Sequence, residues 1–321
     1  MGDATVKKYF IAIILMMIVV VTFYSIFHKF IRPNNSATIS QNSHSGDREE
    51  QQANTIEYGL YSLDGKYIDN GSTIYPEDDE ANMNISINHN LNERREYSLI
   101  VLEDFKQVSF KLKNKQEFIK YLFTMKPNSA KNIGVRIPIK PNTQELTILV
   151  IKKPSYKLKE MDLNKASVLE EVLSLRYSIN HKNELNNLKE IESDVVVKDG
   201  LNEEMFITND IHKLQSVMVG KEGEQLWFSS GNDTSEPLKY AIIALNDWKQ
   251  TTVIDDQEVL YTTVPGSKRQ LFSFTLPKVK HDSNFQLIAF PYPYQVSQDN
   301  YVSQQAFGSF RTVIVPNRHT P

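Results

Sequence analysis

The sequence predicts an all-β protein carried on an N-terminal transmembrane helix. A polar stalk follows the helix, then two tandem β-sandwich domains, the first with a short helix of its own. Three observations lead there. Residues 9–27, YFIAIILMMIVVVTFYSIF, carry no charge. Beyond the stalk, short runs rich in Val, Ile, Leu, Phe and Tyr alternate with polar turns. Two of these runs, YSLIVLEDFKQ at 97–107 and YAIIALNDWKQ at 240–250, agree at six of eleven positions.

The apolar run has the length of a membrane span. At about 1.5 Å per residue it reaches nearly the thickness of a bilayer core. Tyr9, Phe23, Tyr24 and Phe27 lie toward its ends, as interfacial aromatic belts do, and Lys7, Lys8, Lys29 and Arg32 flank it. A cleaved signal peptide would have a shorter apolar region and a small-x-small site, whereas Ile26, Phe27, His28 and Lys29 are bulky or basic. The expectation is an uncleaved anchor over 9–31, in contact with the lipid bilayer. A cytoplasmic head of residues 1–8 leaves the rest of the chain outside the cell membrane.

Residues 32–54 are the stalk. The segment 33–54 contains one strongly apolar residue, Ile39, too little to offset the entropy of ordering.

The repeat extends beyond its first match. Ile137-Pro138 corresponds to Leu276-Pro277, residues 146–151 to 285–290, and Pro154 to Pro293. A weaker echo sets Ser174-Leu175-Arg176 against Ser309-Phe310-Arg311. Matches in one order at slowly drifting offsets are the trace of duplication followed by loop change. Strands are expected in copy one near 56–61, 83–88, 97–104, 107–112, 133–139, 146–151 and 174–179. In copy two they are expected near 205–208, 214–219, 225–230, 239–246, 258–263, 271–276, 285–290 and 309–315. That density of short strands is a sandwich signature. The domains become 55–182 and 205–316, with a linker at 183–204 and a tail at 317–321. In the linker, Leu185, Leu188 and Ile191 suggest a helical turn, and Val195–Val197 an edge strand of copy two. A helix is expected between Asp162 or Asn164 and Leu173, with Val168, Leu169, Val172 and Leu173 on its apolar face.

The strand–proline–polar turn–strand units at 137–151 and 276–290 resemble tandem immunoglobulin-like or fibronectin-type domains of bacterial surface proteins. The resemblance implies an Ig-like fold over roughly 55–316 and allows many functions.

Chemistry-bearing motifs are missing from the sequence. There is no cysteine, so no disulfide, thiolate site or cysteine nucleophile. The seven histidines include no i,i+4 pair, and no nucleotide-binding or serine-hydrolase motif occurs. No cofactor, metal or catalytic residue is therefore assigned. A net charge of −3 argues against a nucleic-acid partner. The acidic runs at 77–80 and 255–258 read as solvated loops rather than calcium ligands.

The one candidate site is the loop 291–307, where the two copies differ most. It carries Tyr292, Tyr294, Tyr301 and Phe307, rings suited either to a binding surface or to closing the core. The expected function is a non-enzymatic, membrane-anchored binding protein whose partner outside the membrane is a protein, peptide or glycan. A carboxylate-based envelope carbohydrate enzyme and a membrane-bound regulatory or immunity subunit are the alternatives.

Overall fold

The computed structural model describes residues 55–113, 116–180, 188–198, 204–213 and 215–317. The head, the 9–31 anchor and the 32–54 stalk lie outside the described residues, as do residues 318–321 of the tail. Among the described residues no helix is long and apolar enough to cross a membrane.

The first half opens with β1 (Thr55–Tyr61), β2 (Tyr67–Ile68), β3 (Thr73–Ile74), β4 (Glu80–Asn90) and β5 (Arg95–Glu103). It continues through β6 (Lys106–Val108), β7 (Phe110–Leu112), β8 (Glu117–Phe118), β9 (Tyr121–Met125) and β10 (Ser129–Pro138). It closes with β11 (Glu145–Lys152), helix α1 (Leu163–Glu170) and β12 (Leu173–Ile179). One sheet has the order β2-β1-β4-β10-β7-β8. The other is β3-β12-β11-β5-β6, with β9 also on β5.

The second half contains β13 (Val195–Val197), β14 (Met205–Thr208), β15 (Val219–Lys221), β16 (Gln225–Asn232), β17 (Leu238–Asn246) and β18 (Lys249–Thr251). Then come β19 (Val259–Val264), β20 (Lys268–Thr275), β21 (Ser283–Pro291), β22 (Phe307–Gly308) and β23 (Thr312–Val315). Its sheets are β13-β20-β16-β14 and β15-β23-β21-β17-β18, with β19 on β17 and β22 on β21.

The two halves have the same plan. Strands β1-β4-β10 match β14-β16-β20, and β3-β12-β11-β5-β6 match β15-β23-β21-β17-β18. In each half a short strand lies parallel to the last one, β3 along β12 and β15 along β23. This is the strand order of an immunoglobulin-type sandwich. One edge differs: β7 flanks β10, whereas β13, drawn from the linker, flanks β20.

Several expectations change. The alternation at 107–112 is broken between two sheets, because the chain crosses over after β6 and starts β7 on the other side. The short strand β9 has no counterpart among the expected strands, and the strand expected at 214–219 is found as β15 instead. Of the helical turn expected over 183–191, residues 183–187 lie outside the described residues; Leu188 and Ile191 are not helical, and the N–H of Ile191 is bonded to the carbonyl of Tyr261. The acidic runs are turns. Asp78, Asp79, Asp255 and Asp256 have φ of 50°, 58°, 48° and 58°, left-handed values that aspartate tolerates better than most residues. Among the described residues no group of three or more His, Cys, Asp or Glu side chains is placed to hold a metal.

Each sandwich has its own core, and a third apolar cluster joins them. Leu99, Val101, Ile148 and Val150 point into the first core. Their strand neighbours Ile100, Leu102, Leu149 and Ile151 point the other way, onto Ala241, Ile243, Leu245, Ile288 and Phe290 of the second half. Both faces of these two sheets are dry, so β5, β11, β17 and β21 read as continuous apolar runs. Strand β4, with solvent on one face, alternates instead.

Burial pushes the hydroxyls of Tyr97, Tyr177, Tyr240 and Tyr294 well above the usual tyrosine value. In the unfolded chain they ionise near pH 10. Above that pH the unfolded state binds fewer protons than the folded one, so stability should fall as pH rises. An ultraviolet titration should show these four phenols ionising only as the chain unfolds. Full tyrosine ionisation with native circular dichroism would contradict it.

Candidate functional site

The contact between the sandwiches is two-fold in character. Strands β5 and β6, like β17 and β18, are joined by two-residue turns, Asp104-Phe105 and Asp247-Trp248. All four residues have positive φ: 49°, 63°, 44° and 65°. That is the primed-turn geometry of tight hairpins. Each aspartate fixes its turn to the neighbouring strand, Asp104 accepting from the N–H groups of Gln144 and Glu145, Asp247 from that of Asn284. The left-handed backbone tips Phe105 and Trp248 into the shared cluster, where both are buried. The two aromatics are thus equivalent in position, as the repeat implies.

Two residues after each aromatic, Gln107 and Gln250 bond to each other reciprocally. The backbone N–H of each donates to the other's Oε1, at 2.5 and 2.7 Å. Their Nε2 atoms donate to the carbonyls of Trp248 and Phe105. The weakest sequence echo is equally reciprocal. Arg176 Nη1 donates to Pro291 O at 2.8 Å, and Arg311 Nη2 to Lys152 O at 2.7 Å, while Lys152 and Pro291 are themselves equivalent. Arg176 also pairs with Glu145 at 2.8 Å, both fully buried. Arg311 lies over the Trp248 ring, 4.5 Å from its centroid, and burial pulls its pKa below the usual guanidinium value. The residue equivalent to Glu145 is Asn284, which donates to the carbonyls of Pro154 and Tyr156.

The connection after the third strand of each inner sheet crosses to the other sandwich. In the second half it is the loop predicted as a site. Its Tyr294 is buried, with the hydroxyl 2.7 Å from that of Tyr261, the ring edge-on to Phe105, and the N–H donating to Glu145. Tyr292 and Phe307 are half-buried against the second core. Tyr301 presents its ring to solvent. The carbonyls of Gln304 and Gln305 accept from Ser174 and Arg176 of the first half. The loop is a strap, and three of its four rings are engaged within the molecule.

The matching strap in the first half, residues 153–172, carries α1. Asp162 caps the helix by accepting from the N–H of Lys165. Leu158, Ala166 and Leu169 pack with Met218 and Phe310 of the second half. Val168 turns outward, and the helix stops at Glu170, short of the expected Leu173. Four large apolar side chains of this strap are exposed: Tyr156, Met161, Leu163 and Val168. Beside them opens a cavity of about 500 Å³ between the strap and the β4–β5 turn. Its floor is Leu91, Val168 and Leu169, and its rim holds Arg95, Lys153 and Lys165. Glu93 bridges Arg95 and Lys153, and these cations hold its carboxyl below the usual range against the opposing pull of desolvation.

A second cavity, about 700 Å³, lies between the sandwiches. Glu103, Asp104, Asp256 and Glu258 line it with Tyr261 and Tyr294. Burial raises the pKa of Asp104. Glu103 accepts from Thr143 and pairs with Lys140, so both inner carboxylates are tied to their own loops.

No protein-family model and no curated protein sequence matches the chain. Solved structures overlap it weakly. The C-terminal domain of the Streptococcus agalactiae AgI/II polypeptide BspA is 8% identical, with 81% of this chain and 99% of that one covered and a TM-score of 0.22. The E. coli chaperone DraB is 9% identical, with 81% and 97% covered and a TM-score of 0.23. A PapD-like domain of human CEP192 is 9% identical, with 44% and 94% covered and a TM-score of 0.23. Overlaps at that level say nothing about what this chain binds.

Proposed function

We propose that the protein is a membrane-anchored, extracytoplasmic binding protein, and that the helical strap of its first sandwich receives a protein or peptide partner. The observation that carries the reading is the set of exposed apolar side chains on this strap, Tyr156, Met161, Leu163 and Val168, of which Tyr156 and Val168 line the apolar-floored cavity. Exposed apolar side chains beside a cavity rimmed by charge are a usual mark of an interaction site. The anchor and stalk hold this surface away from the bilayer.

Two measurements test the reading on the full chain in its own membrane. Alkaline carbonate should leave the chain on the membrane, and protease added outside intact cells should remove the sandwiches. Release by carbonate would overturn the anchor. A photo-crosslinking residue at Leu163 should yield a discrete adduct that is lost when Val168 is changed to Ser. The same residue at Leu63, exposed on the distant β1–β2 turn, should yield none. Equal labelling from both positions would reject the strap as the contact. A crosslinker at Tyr301 asks whether the partner also reaches the second strap.

A further inference from the structure

The outer face of the first sheet has an unusual composition. The outward positions of β4 are Glu80, Asn82, Asn84, Ser86, Asn88 and Asn90, and the inward ones are the buried core. Asparagine is depleted in strands, where a β-branched residue would serve better. Four in one row on one face therefore go against local preference. Beside the row, Gly59 pairs with Ser86 and Gly134 with Asn84. Glycine in a strand interior is also disfavoured, and marks a place where something else lies close to the backbone. Here a Cβ on Gly59 would meet the Tyr67 ring at 2.8 Å, and one on Gly134 would meet the Lys113 stem at 2.3 Å. The glycines leave room for the Tyr67 ring and the Lys113 methylenes over the sheet, on either side of the amide row. Tyr67 is further held edge-on to Tyr61, with ring centroids 5.3 Å apart.

Two acids on this face are internally engaged. Glu80 pairs with Arg136, and Glu57 accepts from Asn88. Asn82 accepts from Arg136 Nε at 3.1 Å, and the other three asparagines make only long bonds. Asn84 donates to Ser62 O at 3.3 Å, Asn88 to Glu57 at 3.2 Å and Asn90 to Thr55 at 3.4 Å. Bonds at that end of the range are weak and readily exchanged for better ones.

We propose that this face binds a neutral polysaccharide chain. Amides offer donor and acceptor side by side, which matches hydroxyls that both give and take hydrogen bonds. Tyr67, exposed beside the row, offers its ring to the apolar face of a sugar. Its cations, Lys111, Lys113 and Arg136, are set against Glu57, Glu80 and Glu117, so the face has no net positive charge to draw a nucleic acid. It is a sheet face rather than an edge, so it has no free ladder to pair with an added peptide strand. It is distinct from the helical strap and does not depend on that site having a partner.

The test uses the full chain and two probes, the β-1,4-linked N-acetylglucosamine hexamer and cellohexaose, with binding read by calorimetry. Saturable binding to at least one probe is expected, and it should be insensitive to added salt. Tyr67→Ala, and separately Asn88→Ala with Asn132→Ala, should each weaken it at least about tenfold with circular dichroism unchanged. Asn132 is exposed on β10 beside Ser86, so Asn132→Ala alone supplies a variant with little risk to folding. Leu163→Ser should bind the sugar as the parent does. No saturable binding to either probe, or parental affinity in the folded Tyr67 and Asn132 variants, would overturn the proposal. Loss of the crosslinked partner at Leu163 with sugar binding intact would count against the strap alone.

Discussion

Replacing Glu145 by Ala should destabilise the protein by about 3–5 kcal/mol, the cost of leaving a buried charge without its partner. Arg176 is fully buried, and Glu145 is the acid that faces it. The carboxylate also receives the N–H of Tyr294, so its loss loosens the second strap as well. The double change Glu145→Leu with Arg176→Met should recover much of the loss, because an apolar pair of similar volume removes the uncompensated charge. Urea unfolding of the single and double variants measures both. If the double variant is as unstable as Glu145→Ala, charge burial is not the cause.

Changing Trp248 to Ala should cost about 3–5 kcal/mol, as expected for a large aromatic removed from a core. The loss has a second consequence here. Trp248 lies between the sandwiches, its Nε1 donating to Pro154 O at 2.8 Å and its ring under Arg311. Without it, Arg311 loses the one aromatic face that offsets its burial. The parent should unfold in one transition, since residues 51–321 form one compact unit with a shared third core. The variant should unfold in two, read by calorimetry and by the fluorescence of Trp227, the remaining tryptophan. One broad transition with unchanged midpoint would show that the joint does not carry the coupling.

How much of this could be read in the sequence follows from which interactions are local. Strands with one wet face announced themselves by alternation, as β4 did. Hairpin turns carried their own residues, and α1 its Asp162 cap. The repeat was visible because the inner sheets are buried on both faces and so changed little. The same fact held a stronger message: uninterrupted apolar runs in β5, β11, β17 and β21 already implied that something packs on their outer sides. The Tyr-rich loop was harder. Its divergence from copy one suggested a new binding surface, yet Tyr294 meets Phe105 across a separation of 189 positions, and no local pattern encodes that contact. The exposed patch on the first strap was equally hidden. Val168 sits at helical spacing with Val172, but the helix ends at Glu170 and buries Ala166 and Leu169 instead, which leaves Val168 exposed. The sheet-face asparagines were in plain view, but their meaning depends on lying in one row beside Gly59 and Gly134.

The reciprocal bonds of Gln107 and Gln250 have an implication for how strong the joint needs to be. A self-matching patch of this kind is what a symmetric pair of separate chains would use. Two free chains would have to find each other at cellular dilution, and the patch alone would have to supply the affinity. Once both halves are one polypeptide, the connecting residues keep them at an effective concentration in the millimolar range. A contact too weak to assemble free partners then closes almost completely. Selection on the patch relaxes, and the halves are free to drift apart in chemistry. An acid can persist opposite one guanidinium while its counterpart becomes Asn284, and each strap is released to acquire a surface of its own.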